Sequence, residues 1–249
     1  MTGGSRAHET ARRKVTGASL PDLVSILIPA YNAESWIRQT IRAALDQTWS
    51  RKEIIVLDDG SRDRTLEIAR SFSSKSVKVL TQENQGACAA RNRLLREAQG
   101  TYLQWLDADD LMAPDKIALQ LAGAEPGCRS RILLTAAQGT FFFSGRRARF
   151  RPTGLWRDLS NVDWITTKFT ENAWLNPTSW LVSRRLSELA GPWDHRLSKS
   201  GDDDGEYPSL VNGVIFRDTD GKIYIATSAS ESVLPPVEVV RHSRAVPTV

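Results

Sequence analysis

Several large classes of protein depend on residues and runs that this sequence has little of. Cysteine occurs twice in 249 residues, at Cys88 and Cys128. That is too few, and the two are too differently placed, for a disulfide framework or a thiolate zinc site, which favours a reducing, cytoplasmic setting. The three histidines, His8, His195 and His242, have no metal-ligand spacing. No apolar run approaches the roughly 20 residues needed to span a bilayer. Residues 1–20 carry charge and lack the apolar centre of a signal peptide. A soluble chain is therefore expected, with peripheral membrane contact left open. The net charge is only +4, and Arg6, Arg12, Arg13 and Lys14 hold part of it in the first residues. Without a dense basic stripe, a dedicated nucleic-acid binder is not expected. The glycine fingerprints of dinucleotide-binding and P-loop proteins are missing, and so is a G-x-S-x-G nucleophile elbow.

What is present is an ordinary globular composition, 41% hydrophobic and 25% charged, enough for one α/β domain with a small appendage. Residues 1–22 read as a disordered tail. "LVSILIPAY" (23–31) is then a continuous apolar run of the kind a central parallel strand needs. Residues 33–47 place Trp36, Ile37, Thr40, Ile41, Ala44 and Leu45 on one helical face. "EIIVLDDG" (53–60) is a second strand, followed by a helix with Ser61 as its expected N-cap and Asp63 in its first turn. A third strand (77–82) leads into a helix expected to stop at Gly100. The fourth strand is "YLQWLDADDL" (102–111), and Pro114 opens a further helix. This βαβαβαβ order implies a doubly wound, mostly parallel sheet, which binds ligands at the carboxyl ends of its strands. Tyr31-Asn32, Asp58-Asp59 and Asp107-Ala108-Asp109 all stand at such ends.

The fourth strand ends in three carboxylates within four positions, Asp107, Asp109 and Asp110. Like charges packed so closely need a solvated turn or a cation to neutralise them. On an extended strand end, Asp107 and Asp109 would share one side and Asp110 the other. Hard oxygen donors suit Mg²⁺ or Mn²⁺.

The stretches "VSILIPAYNAESWIRQTI", "EIIVLDDGSRDRT", "ENQGACAARNRLLREAQGTYLQWLDADDLMAPDKI" and "GPWDHRLSKSGDDDGEY" together resemble the family-2 glycosyltransferases. The resemblance is close over about residues 23–120 and looser over 155–207. It implies a GT-A, Rossmann-like sheet flanked by helices with a smaller acceptor-side region, and inverting transfer from a nucleotide sugar, most often a UDP sugar. Pro29, Ala30 and Tyr31 would border the base and ribose. Asp58 or Asp59 would accept a hydrogen bond from the base. Arg91 would lie near the nucleotide, an exposed helical surface being the other reading. Asp107 would contact the ribose or a metal-bound water. Asp109, the second acid of the DxD motif, would ligate Mn²⁺ or Mg²⁺ at the diphosphate. In "GDDDGEY" Asp204 would be the catalytic base, with Asp203 the runner-up. Trp174, Trp180 and Trp193 are candidates for an acceptor cleft, where indole faces stack on sugars; core packing is the commoner use of such rings.

On this resemblance residues 23–120 form a nucleotide-sugar-binding half and 121–207 an acceptor-binding half. The acceptor would be a carbohydrate, a lipid-linked or a small molecule. Residues 208–249 depart from the pattern: Pro208 and Gly213 interrupt the expected helix, and the remainder reads as one short strand and a loose tail. Two other classes stay open, a non-catalytic relative that binds a nucleotide sugar or a partner, and a sugar-phosphate nucleotidyltransferase. The second would carry a Gly-rich basic loop after the first strand, which "PAYNAES" does not supply.

Overall fold

The computed structural model describes residues 22–122, 133–135, 139–140, 149–150, 152–156, 161–173, 176–193, 214–217, 222–226, 237–238 and 240–242. The first half alternates as the periodicity requires: β1 (Val24–Ala30), α1 (Ile37–Leu45), β2 (Lys52–Asp58), α2 (Thr65–Arg70), β3 (Val77–Thr81), α3 (Ala87–Glu97), β4 (Tyr102–Trp105) and α4 (Lys116–Ala122). There follow β5 (Leu133–Thr135), β6 (Gly139–Thr140), β7 (Arg149–Phe150), α5 (Asn161–Thr170), β8 (Leu181–Ser183) and α6 (Arg184–Ala190). Last come β9 (Val214–Arg217), β10 (Lys222–Ala226), β11 (Val237–Glu238) and β12 (Val240–His242).

Seven strands form the main sheet in the order β12-β5-β8-β4-β1-β2-β3. β1 pairs in parallel with β2 and β4, and β2 with β3. β8 runs antiparallel between β4 and β5. The central strands β1, β2 and β4 are buried along most of their length because both faces are covered. Alternation sends Ile26, Ile28, Ile54 and Val56 to one face, under Ile37 and Ile41 of α1, Ile68 of α2 and Ile117 of α4. It sends Leu27, Ile55, Leu57 and Leu103 to the other, under Ala90 and Leu94 of α3.

Several boundaries differ from expectation. α1 starts at Ile37 rather than Ala33, because the amides of Ala33 and Glu34 bond outward to the next loop. α3 ends at Glu97, with Ala98 already extended. Gly100 serves a close approach instead: a Cβ there would lie 2.5 Å from the Ser25 backbone nitrogen. Asp22 belongs to the fold rather than to a tail, since its carbonyl accepts the Trp49 indole N–H at 2.9 Å. The rest of that expected tail lies outside the described residues. Among the described residues the C-terminal segment holds four strands, not one. β9, β10 and β11 make a separate antiparallel sheet, and β12 adds to the main sheet beside β5.

Candidate functional site

Register brings the sequence-predicted residues to one edge. Ala30, the last residue of β1, stands opposite Asp58, the last of β2, and Leu27 stands opposite Trp105, the last of β4. The chain beyond these points carries Tyr31, Asp59 and Asp107 out along the same edge. Ala30 is buried, Pro29 half-buried, and Tyr31 exposed at 45%.

The loops after β1 and β2 are tied to each other. Asn32, at φ +47°, takes the left-handed conformation that asparagine tolerates. Its amide donates to Ser61 Oγ at 3.0 Å, and its Oδ1 accepts from the Arg62 amide at 2.9 Å. Ser61 therefore serves the β1 loop instead of capping α2. The N-cap position is Arg64, which makes no side-chain cap bond; the residue before it, Asp63, takes the first helical amide, that of Thr65, on its Oδ1 at 2.9 Å. Gly60, at φ +73°, turns so tightly that a Cβ would come 2.7 Å from the Asn84 nitrogen.

Asp58 and Asp59 are both buried, at 1% and 3% exposure, but they do different work. Asp59 Oδ1 accepts from Gln82 Nε2 (2.7 Å) and the Gln85 amide (3.1 Å), and its Oδ2 accepts from the Gly86 amide (2.8 Å). It thereby anchors the loop that enters α3. Asp58 Oδ2 accepts from the Thr81 hydroxyl and the Ser61 amide. Asp58 Oδ1 is buried with no partner among the described residues.

The "DADD" stretch is a turn and not a strand end, which corrects the alternation argument. β4 stops at Trp105, and the Asp110 amide donates to the Asp107 carbonyl at 3.0 Å. Thr178 supports this turn from the far side of the chain. Its hydroxyl accepts from the Asp107 amide (3.2 Å) and donates to Asp110 Oδ2 (2.5 Å). The Asn176-Pro177 pair sets Thr178 in place, because Asn176 Oδ1 accepts the Thr178 amide at 2.8 Å. Sequence reasoning did not pick out Thr178; an Asn-Pro turn initiator before a Thr is the signal that could have.

Asp107 Oδ1 is held by Arg91 Nη2 at 3.0 Å, so Arg91 turns toward the acidic turn and not to an exposed helical surface. Among the described residues no cation stands against Asp109. Its outer side is exposed while surrounding protein limits its hydration, and that desolvation, reinforced by the Asp107 charge, raises its carboxyl above the ordinary value. Desolvation also pushes Asp110 up to about 6; the Thr178 hydrogen bond opposes this, and the Asp107 and Asp109 charges add to it. Beneath the turn, Lys116 is half-buried and donates to Gln104 Oε1 (2.5 Å) and Gln120 Oε1 (2.9 Å). Burial lowers its pKa well below the usual lysine range. The helical pattern alone gives no hint of that burial.

Among the described residues no three His, Cys, Asp or Glu side chains converge as a ready cage for a metal. The donor set fits a magnesium-like ion nonetheless. Such ions take one or two carboxylates and complete their shell with water and substrate phosphate. Asp109, desolvated beside a like charge and unpaired with any cation among the described residues, is such a carboxylate.

Of the aromatic candidates, Trp180 is 4% exposed, so its ring lies in the core and offers no face to a sugar. Trp193 is half-buried against α3, with its ring edge-on to Trp105 at 5.5 Å. Trp174, Asp203 and Asp204 lie outside the described residues. No helix of the described residues is long and apolar enough to cross a membrane.

The chain matches the model of glycosyl transferase family 2 over residues 25–178, more than half its length. It is 44% identical over 102 residues to an uncharacterized glycosyltransferase of Haemophilus influenzae, covering 40% of this chain and 41% of that one. It is 41% identical over 101 residues to the Escherichia coli UDP-Glc:alpha-D-GlcNAc-diphosphoundecaprenol beta-1,3-glucosyltransferase WfgD, covering 40% of each. The match thus spans about two fifths of the length of these curated relatives. Among solved structures, S. aureus TarS 1-349 in complex with UDP-GlcNAc superposes with a TM-score of 0.56 at 20% identity, over 90% of this chain and 59% of that one. At that identity the likeness speaks for the fold, which is the GT-A sheet expected from the sequence.

Proposed function

The chain belongs to glycosyl transferase family 2, and from that premise we propose that it moves a sugar from a nucleoside-diphosphate sugar to an acceptor hydroxyl, with inversion. The observation that carries this reading is the meeting of Tyr31, Asp58-Asp59, Arg91 and Asp107–Asp109 at one sheet edge. Neutral sugars do not call for a paired set of acids and a cation beside an exposed aromatic residue; a nucleoside diphosphate held through a metal does. UDP is the proposed nucleotide, supported by the UDP-Glc in the name of WfgD and the UDP-GlcNAc bound to TarS.

In this reading Pro29, Ala30 and Tyr31 border the base and ribose, and one acid of the Asp58-Asp59 pair accepts from the base. Asp107, restrained through Oδ1 by Arg91, keeps its other oxygen for the ribose or a water. Asp109 holds Mn²⁺ or Mg²⁺, which when bound stabilises charge on the departing nucleoside diphosphate. Asp204, with Asp203 as alternate, takes the acceptor's proton as the hydroxyl attacks in line, since a hydroxyl is a weak nucleophile at neutral pH. Residues 23–120 then form the donor half, 121–207 the acceptor half and 208–249 an atypical end. A lipid-linked acceptor is favoured over a free carbohydrate or a small molecule by the diphosphoundecaprenol in the name of WfgD.

The test is thermal stabilisation by UDP, GDP, TDP and CDP, each with and without Mn²⁺, in the wild type and Asp109→Ala. A ligand at a hundredfold excess over its dissociation constant stabilises the folded state by about 2.7 kcal/mol. The expected outcome is a shift with UDP that needs both Mn²⁺ and Asp109. No shift with any nucleotide refutes the donor site. Sugar transfer that is lost in Asp204→Asn while the UDP shift persists would separate an enzyme from a binding protein.

A further inference from the structure

We infer that Asn92 and Trp193 are positioning residues that act through Arg91 to hold Asp107; the inference rests on the donor-site reading of Asp107. Neighbours on α3, Arg91 and Asn92 diverge around the helix and meet the same distant residue by different routes. Asn92 Nδ2 donates to the Trp193 carbonyl at 2.8 Å, and its Oδ1 accepts the Trp193 amide at 2.7 Å, 101 positions away. A side-chain amide matches a peptide group on both its donor and its acceptor. This two-point bond therefore fixes the Trp193 backbone in orientation as well as in place. Asn92 is 6% exposed, so both bonds are made largely out of water.

The indole that results is not left open for a sugar. Trp105, the last residue of β4, meets it at an interplanar angle of 87°. The Arg91 guanidinium lies over its face, 5.0 Å from the ring centroid. The same guanidinium reaches Asp107 Oδ1, with 12% of the Arg91 side chain and 25% of the Asp107 side chain exposed. Arg91 Nε is buried without a hydrogen-bond partner among the described residues. Hydrogen bonds alone thus leave the planar group free to turn about its contact with Asp107. The ring face removes that freedom, since cation–π attraction is strongest over an indole. Trp193 thereby sets the plane of Arg91, and Arg91 sets which oxygen of Asp107 is left for a ligand. The arrangement also offsets the Asp107 charge at the turn, so that Asp109, which no described cation pairs, would be the acid to hold a metal.

The experiment compares Trp193→Leu, Trp193→Phe, Asn92→Ala, Arg91→Lys and Trp193→Leu/Arg91→Lys with the wild type. One readout is the exchange rate of the Arg91 Nε proton by NMR without ligand. The other is the dissociation constant for UDP with Mn²⁺. Expected are faster Nε exchange in Trp193→Leu and Asn92→Ala, and UDP–Mn²⁺ binding weakened about tenfold in Trp193→Leu. Trp193→Phe keeps an aromatic face and is expected to stay within about twofold of wild type. The double variant is expected to bind no more weakly than Arg91→Lys alone. Unchanged Nε exchange in Trp193→Leu overturns the inference whatever the nucleotide does. So do single-variant losses that multiply in the double variant. Failure of the wild type to bind UDP with Mn²⁺ overturns the donor-site reading and, with it, the functional half of the inference; Nε exchange still decides whether the indole orients Arg91.

Discussion

Replacing Asp110 by asparagine should make the protein more stable at neutral pH and leave it unchanged in acid. The carboxyl is raised from 3.8 to about 6, chiefly because it is desolvated. The folded state therefore holds a proton that the unfolded chain has already released between about pH 4 and 6. A raised carboxyl contributes stability that is complete below the unfolded pKa and lost as pH rises through the folded one. A shift of about two units corresponds to roughly 3 kcal/mol, at 1.36 kcal/mol per unit. Asparagine keeps an oxygen for the Thr178 hydroxyl, which donates to Asp110 Oδ2, and carries no charge to desolvate. Urea unfolding from pH 3.5 to 8, in EDTA to keep metal away, gives the assay. Wild type should lose stability relative to Asp110→Asn between pH 4 and 7, reaching a deficit of about 2–3 kcal/mol. In melting temperature that is roughly 4–12 °C for a chain of this size. Parallel curves, or a variant less stable than wild type at pH 7, would refute the reasoning.

Two further expectations concern the frame of the site. Gly100→Ala should cost about 2 kcal/mol or more in chemical unfolding, because its Cβ would lie 2.5 Å from the Ser25 nitrogen and 2.7 Å from the Tyr102 carbonyl oxygen. Asp59→Asn turns an NH₂ toward donors that now meet carboxylate oxygens. It should lower the urea midpoint by the equivalent of about 2–3 kcal/mol and raise amide exchange at Gln85 and Gly86.

The first half of the fold was open to reading because its strands are covered on both faces. Continuous apolar runs such as Ile54–Leu57 and helices with one apolar stripe leave little choice of architecture. The meeting of Tyr31, Asp58 and Asp107 at one edge followed from parallel pairing alone. Local hydrogen bonding was harder. Ser61 and Asp63 are both good capping residue types, and only the neighbouring loop, through Asn32, decides which of them bonds the first amide of α2. Lys116 reads as a solvent-facing helix residue until Gln104 and Gln120 are seen to enclose it. Trp193 and Asn92 are 101 positions apart, beyond any periodicity. The shorter strands after residue 207 were missed in part because two- to five-residue elements carry too little pattern to stand out from loop.

The place of β8 has a consequence for synthesis on the ribosome. β1 to β4 are complete once residue 105 has emerged, and they can pair at once in the order β4-β1-β2-β3. β5 follows in the chain but cannot dock beside β4, because the seat between them is reserved for residues 181–183. For nearly eighty residues of elongation the β4 edge stands bare, its amides and carbonyls open to any passing strand. Chains that stall or are cut in that interval should be the ones that aggregate, and a translation pause before residue 181 should do more harm than one after it.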